Sequence, residues 1–188
     1  MNRKIGLLLG GLCLLMMTLP GGVTAASKGY YANGNLKWEY SYKDGVLTEA
    51  RFYNEDGQLK SVNAYQDGTL AEARGYEGGK LKWQTLYSAG KMTAGREYYD
   101  SGEIEKEYSY RHDKVNGSYR KFDEHGQLRE EFTYRDGVLE GPGKTWYESG
   151  ELKSEFSYHN GELDGTFRQY FPDGKVQGEY LYKGGVLQ

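Results

Sequence analysis

The feature that most restricts this chain is a glycine that returns at a nearly fixed interval. Turn glycines stand at Gly34, Gly57, Gly79, Gly102, Gly126, Gly150 and Gly174, separated by 22 to 24 residues. A second series interleaves with the first: Gly45, Gly68, Gly90, Asp113 in the equivalent place, Gly137, Gly161 and Gly185. Asp, Asn, Ser or His precedes most of them. Asp-Gly and Asn-Gly favour two-residue hairpin turns, whose central residues both need positive φ, so both series predict such turns. Between turns the chain alternates apolar and polar with period two, as in Leu152-Lys153-Ser154-Glu155-Phe156-Ser157-Tyr158. No stretch carries a useful helical period. The pattern predicts an all-β domain over residues 27–188, built of tandem β-hairpin repeats. About seven units of 22–24 residues would form one elongated antiparallel meander sheet.

A two-residue turn at Asn160-Gly161 puts Tyr158 opposite Leu163, Phe156 opposite Gly165 and Ser154 opposite Phe167. The same operation at Asp136-Gly137 pairs Tyr134 with Leu139 and Phe132 with Gly141. At His112-Asp113 it pairs Tyr110 with Val115, Tyr108 with Gly117 and Lys106 with Tyr119. A ring then faces a glycine in each hairpin, and the aromatic covers bare backbone. The next turn, Asp173-Gly174, places Phe171 opposite Val176 and Phe167 opposite Tyr180, so the register closes over one repeat. On the second face, Arg120, Lys144 and Arg168 land opposite Glu131, Glu155 and Glu179. Phe122, Trp146 and Tyr170 form an aromatic column there. Glu49, Glu72 and Ala94 stand where Gly117, Gly141 and Gly165 stand later, so the first repeats are looser copies.

The repeat units resemble the MORN-variant repeat of bacterial YwqK-type antitoxin-like proteins. The resemblance lies in Tyr-x-x-Gly-x-Leu followed by Tyr-x-x-Gly-x-x-x-Gly, as in Tyr147 to Leu152 and Tyr158 to Gly165. It covers about residues 30–188. It implies a repeat scaffold without a shared active site, and for members labelled antitoxins it implies toxin neutralisation.

The first 26 residues read differently. A short basic start (Arg3, Lys4) precedes an apolar run from Ile5 to Leu19, then Pro20 and small residues at Val23-Thr24-Ala25. This is the pattern of a secretory signal peptide, with cleavage expected after Ala25 or Ala26. The run is too short for a span of ~20 residues, and no membrane span is expected after cleavage. The single cysteine, Cys13, lies inside the run, so the exported chain would hold no disulfide. Formal net charge is −3 at pH 7 and becomes more negative once Arg3 and Lys4 leave. An acidic surface disfavours nucleic acid. A periplasmic or extracellular destination follows from the leader.

Catalytic chemistry is not legible. His112 and His159 fall in turns two repeats apart on one sheet edge, and His125 on the opposite edge, too far apart to share a metal. Two-residue turns offer one carboxylate each, short of what calcium requires. Glu130 and Glu131 point to opposite faces. Neither an enzyme nor a cofactor is expected. The feature beyond scaffold is chemical: 19 tyrosines against 6 phenylalanines. In the register above, Trp38, Tyr40, Tyr42, Tyr65, Trp83, Tyr87, Tyr108, Tyr110, Phe132, Tyr134, Phe156, Tyr158, Tyr180 and Tyr182 project to one face. That face is the candidate binding surface for a protein or glycan partner. The expected function is an exported, non-catalytic binding scaffold; the alternative is an immunity or antitoxin-like inhibitor of a toxin. The strand from Lys175 to Tyr182, with Val176, Tyr180 and Tyr182 on one face, lacks a full return partner. It is a template for edge-strand self-association or for a target polypeptide.

Overall fold

The computed structural model describes residues 15–19 and 22–188. Among these there is no helix, and therefore none long and apolar enough to cross a membrane. The expected leader lies mostly outside the described residues. The strands run β1 (Leu15–Leu19), β2 (Gly22–Tyr30), β3 (Leu36–Lys43), β4 (Val46–Tyr53), β5 (Leu59–Gln66) and β6 (Thr69–Glu77). They continue as β7 (Lys80–Ser88), β8 (Lys91–Tyr98), β9 (Ile104–Arg111), β10 (Lys114–Phe122), β11 (Leu128–Arg135) and β12 (Val138–Trp146). The last are β13 (Leu152–His159), β14 (Glu162–Leu163), β15 (Gly165–Tyr170), β16 (Val176–Lys183) and β17 (Val186–Leu187). All belong to one 17-stranded sheet in which sequence neighbours pair antiparallel; β14 and β15 are one strand interrupted at Asp164. The tandem-hairpin meander is thus the observed architecture.

The two turn series differ, which corrects the expectation of two-residue turns at both. The second series does turn in two residues, with both φ positive: 49° and 78° at Asp44-Gly45, 51° and 85° at Asn160-Gly161. The first series mostly closes over three residues. Tyr31 N–H bonds to Asn35 O at 2.8 Å and Gly34 N–H to Tyr31 O at 3.0 Å, with Gly34 at φ 87° and Asn33 absent from the positive-φ residues. The same bonds recur at Gly57, Gly102, Gly126, Gly150 and Gly174. This is a type I turn followed by a left-handed glycine, the usual three-residue hairpin loop. Gly79 is the exception: Gly78-Gly79 is a two-residue turn, with φ 56° and 79°. The loss of one loop residue there accounts for the short 22-residue gap between Gly57 and Gly79.

The register is the second correction. Tyr158–Leu163, Tyr134–Leu139 and Tyr110–Val115 pair as the turns dictate. Two residues further on, the partner strand has slipped by two. Tyr108 faces Tyr119 rather than Gly117, Lys106 faces Lys121, Phe132 faces Gly143 rather than Gly141, and Ser154 faces Gln169 rather than Phe167. Gly117, Gly141 and Gly165 lie in the bulge, at φ 94°, 98° and 100°, backbone that only glycine adopts without strain. A slip of two keeps every side chain on its face, which is why the facial assignments survive a wrong partner list. Where Glu49 and Glu72 replace these glycines, the bulge holds a single extra residue: Tyr42 pairs with Leu47, then Ser41 with Glu49. The longer bulge adds the residue that takes later repeats to 24. A further shift at Gln177 puts Val176 opposite Tyr170 instead of Phe171, hence on the charged face and away from Tyr180.

The bulges also join hairpin to hairpin. Gly137, Gly161 and Gly185 donate their turn N–H groups to Val115, Leu139 and Leu163 carbonyls at 2.8–2.9 Å. At the other edge, the hydroxyls of Tyr31, Tyr99 and Tyr147 donate to the carbonyls of Tyr53, Phe122 and Tyr170 at 2.7–2.8 Å. Where Asp123 takes this place, its carboxylate instead accepts from the N–H groups of His125 and Gln127 and closes its own turn. One sheet layer leaves little interior. Among the described residues only Ala50, Val62 and Ala73 are buried apolar side chains.

Candidate functional site: the aromatic face

Alternation along each strand puts the candidate rings on one face, but the row that crosses the strands changes character midway. From β2 it runs Ser27, Tyr40, Ala50, Asn63, Ala73, Thr85, Gly95 in register. From β9 it runs Tyr108, Tyr119, Phe132, Gly143, Phe156, then Phe167 and Tyr180. Apart from Tyr40, small and polar residues fill the first half; apart from Gly143, rings fill the second.

The rings therefore form one long ladder and separate islands. In the ladder, Tyr108 contacts Tyr110 at 5.4 Å and stacks toward Tyr119 at 6.2 Å, and Tyr119 meets Phe132 at 6.0 Å and Tyr134 at 5.8 Å. Phe132 meets Phe156 at 6.1 Å across the intervening strand β12. Phe156 packs on Tyr158 at 5.5 Å and stacks on Phe167 at 5.4 Å, and Phe167 reaches Tyr180 at 6.3 Å and Tyr182 at 6.1 Å. Centroid spacings of 4.5–7 Å are those of favourable aromatic pairs. Tyr119 and Phe167 are central to this ladder and were not among the candidates; their in-register rows carry the signal that identifies them. Trp38, Tyr40 and Phe52 form an island, with a stacked pair at 4.6 Å and an edge contact at 6.1 Å. Trp83 stands apart and 41% exposed. Tyr42, Tyr65 and Tyr87 sit beside Leu47, Leu70 and Met92, next to the turns.

Glycines make this surface possible, though not the expected ones. A Cβ on Gly143 would lie 2.4 Å from Phe156 and 3.1 Å from Phe132, so the bare backbone lets rings from β11 and β13 meet above it. Tyr108 covers Gly95 in the same way, Trp83 covers Gly75, and Trp38 covers Gly29. Burial against neighbouring rings pushes the Tyr108, Tyr119 and Tyr134 hydroxyls above the ordinary phenol range, so they stay protonated and able to donate. One border of the ladder is charged: Lys106 holds Glu97 at 2.6 Å, beside Lys121 and Glu130. The other border is the Tyr–Leu row beside the turns. Apolar rings flanked by hydrogen-bonding groups can hold a flat, extended ligand.

The opposite face carries a charge ladder in the expected register. Arg120 bridges Glu107 at 3.2 Å and Glu131 at 3.0 Å, and Arg168 bridges Glu155 and Glu179, both at 2.8 Å. Lys144 lies opposite Glu131 and Glu155. The Tyr170 hydroxyl and then Arg168 hold the Glu155 carboxyl below its usual range; the Asn160 amide and then His159 do so for Glu140. A depressed folded pKa means the unfolded chain takes the proton first. This stability is present above the ordinary carboxylate pKa of ~4.3 and is lost as pH falls through the folded values. Thermal melts should therefore show Tm falling as pH drops below about 5, with Glu155→Gln flattening the fall. An unchanged slope in that variant would remove Glu155 from the account.

The histidines stay apart. His112 forms a turn at φ 52°, His125 lies in the turn capped by Asp123, and His159 contacts Glu140 at 3.2 Å. No group of three or more His, Cys, Asp or Glu among the described residues is placed to hold a metal.

Comparison with curated proteins matches none of them. Among solved structures, the crystal structure of TarM is similar at 14% identity, covering 50% of this chain and 19% of that one, with a TM-score of 0.38. The complex of accessory secretory proteins 1, 2 and 3 in Streptococcus pneumoniae is similar at 9% identity, covering 63% and 20%, TM-score 0.35. A porin-like protein from Bacteroides uniformis gives 11% identity over 93% and 91%, TM-score 0.24. The chain spans about a fifth of the length of the first two, and at such TM-scores none of these likenesses bears on function. The MORN repeat variant matches residues 24–44, 94–112, 115–136, 139–160 and 163–183. The main gap, residues 45–93, contains Glu49 and Glu72 in place of the bulge glycines. These five matches cover more than half of the sequence, and the chain belongs to the MORN repeat variant family.

Proposed function

We propose that this MORN-variant scaffold is exported, is not an enzyme, and binds a protein or glycan partner through the aromatic ladder of its C-terminal half. The observation that carries the reading is the run of touching rings from Tyr108 to Tyr182, laid on a single sheet against which no second layer packs among the described residues. It crosses seven strand positions, roughly 29 Å at ~4.8 Å per strand. That length suits an extended ligand lying across the strands. Export rests on the basic start, apolar run and Val23-Thr24-Ala25 site.

The test takes the protein from its native host envelope. N-terminal sequencing should begin at Ala26 or Ser27; an intact Met1 refutes export. The purified protein is then offered to envelope extract and to a glycan panel, with Tyr158→Ala and Tyr182→Ala beside a charged-face control, Lys144→Ala. Each ring truncation should weaken capture by about tenfold, the control by little. Capture that survives both ring truncations refutes the face. Signal on the glycan panel or on an extract protein decides the class of partner.

The narrower antitoxin-like reading rests on the YwqK-type motifs at Tyr147–Leu152 and Tyr158–Gly165. It requires a single stoichiometric partner that is itself toxic, and export would place the neutralisation outside the cytoplasm.

A further inference from the structure

The two edges of the sheet are complementary. β16 pairs with β15 along its length but with β17 only at Tyr182 and Lys183, extended by the Gln188 N–H to Leu181 O bond of 2.9 Å. Backbone groups alternate sides along a strand, so Glu179, like Leu181, presents its N–H and C=O to this outer edge. Among the described residues no strand pairs there with Val176–Tyr180. Val176, Tyr180 and Leu181 are 53%, 42% and 56% exposed. At the opposite edge, β2 pairs with β3 from Thr24 to Tyr30, but with β1 only from Gly22 to Ala26. Ser27–Tyr30 has no outer strand among the described residues.

The charge ladder says what belongs on each edge. Inside the sheet Arg120 and Arg168 each serve two glutamates. At the edges Glu179 has Arg168 as its ion-pair partner on one side, and Lys28 has Glu39, at 2.8 Å, on one side. Lys28 also holds the repeat position of Arg168. Ser27, Lys28 and Gly29 face Tyr40, Glu39 and Trp38 as Phe167, Arg168 and Gln169 face Tyr180, Glu179 and Gly178. In the chain, Glu155 is followed in register by Arg168. The strand that should follow Glu179 is therefore one like Ser27–Tyr30.

We propose that processed copies of this chain associate head to tail, with Ser27–Tyr30 of a second copy pairing antiparallel on Val176–Tyr180. Lys28 of the second copy then lies opposite Glu179 and continues the ladder of alternating charge. The inference rests on the export reading for a steric reason. In this register β2 carries no bulge at Ala25, so Thr24 and Ala25 of the second copy would claim the places opposite Lys183 and Tyr182 that Val186 and Leu187 already fill. Cleavage after Ala25 or Ala26 removes the conflict, so the leader blocks assembly until it is cut. The contact is heterologous and open-ended.

The experiment is sedimentation velocity on the full exported protein recovered from host envelope, beside Lys28→Glu, Glu179→Lys and an equimolar mixture of the two variants. The processed protein should form a concentration-dependent series of oligomers. Either single variant puts like charges in contact and should weaken association by about tenfold or more. The mixture should restore it, since each variant then meets the opposite charge on the other at both of its edges. A processed protein that stays monomeric overturns the inference and leaves export standing. So does association indifferent to the charge swaps, or a closed dimer. Recovery of only unprocessed chain overturns both readings.

Discussion

Gly143→Val destabilises the protein by about 1–3 kcal/mol in a urea melt, and most of that loss is coupled to Phe156. A Cβ at this position would sit 2.4 Å from Cε2 of Phe156 and 3.0 Å from its Cδ2, with Phe132 Cδ1 at 3.1 Å. Neither ring can retreat freely. Phe156 is stacked on Phe167 at 5.4 Å and edge-on to Tyr158 at 5.5 Å, and Phe132 is held by Tyr119 at 6.0 Å. The backbone at Gly143 is not in the positive-φ group, so crowding alone carries the cost. A double-mutant cycle separates the terms. Phe156→Ala loses ring contacts by itself, but in that background Gly143→Val should cost far less. The coupling should be on the order of 1 kcal/mol or more. Two effects that add, with no coupling, would mean the rings do not meet over Gly143.

The sequence shows the fold because turn chemistry and two-fold alternation are local properties. Asp136-Gly137 and Asn160-Gly161 specify their turns within two residues, and the first pair beyond each turn follows. The partner list further along is not local. Gly141 and Gly165 read equally well as cover for a ring or as bulge backbone, and only the competition with Gly143 and Phe167 for the place opposite Phe132 and Phe156 decides it. In the later repeats the facial assignment survived because a slip of two preserves alternation. The single-residue bulges of the first repeats instead put Ala50 and Ala73, not Glu49 and Glu72, opposite Tyr40 and Asn63. The single-residue shift at Gln177 did move Val176 to the other face. Most rings of the candidate surface were legible one by one, but Tyr119 and Phe167 at its centre were not, nor was its break. Tyr40 and Tyr108 look alike in sequence; what parts them is the row Ala50, Asn63, Ala73, Thr85 and Gly95, whose members come from separate strands.

Gly165→Val should also cost about 1–3 kcal/mol, but for a backbone reason that Phe156 cannot relieve. Gly165 has φ 100° with no atom within 4 Å of an added Cβ, so space is available and conformation is not. A β-branched residue is strained there, and escape to ordinary β backbone would close the two-residue bulge. Closing it shifts Phe167 and Arg168 away from Phe156 and Glu155, and withdraws the Leu163 carbonyl from the Gly185 N–H at 2.9 Å. Amide exchange at Gly185 should therefore quicken in the variant, while the stability loss stays the same in a Phe156→Ala background. His159→Ala, whose side chain is 64% exposed against Glu140 at the neighbouring turn, should change stability by no more than about 0.5 kcal/mol. If truncating Phe156 rescued Gly165→Val, the ring would lie over Gly165 after all and the bulge register would be wrong. A Gly165→Val as mild as His159→Ala would instead show that the bulge does not depend on glycine, and the 24-residue repeat would need another cause than the one its backbone supplies.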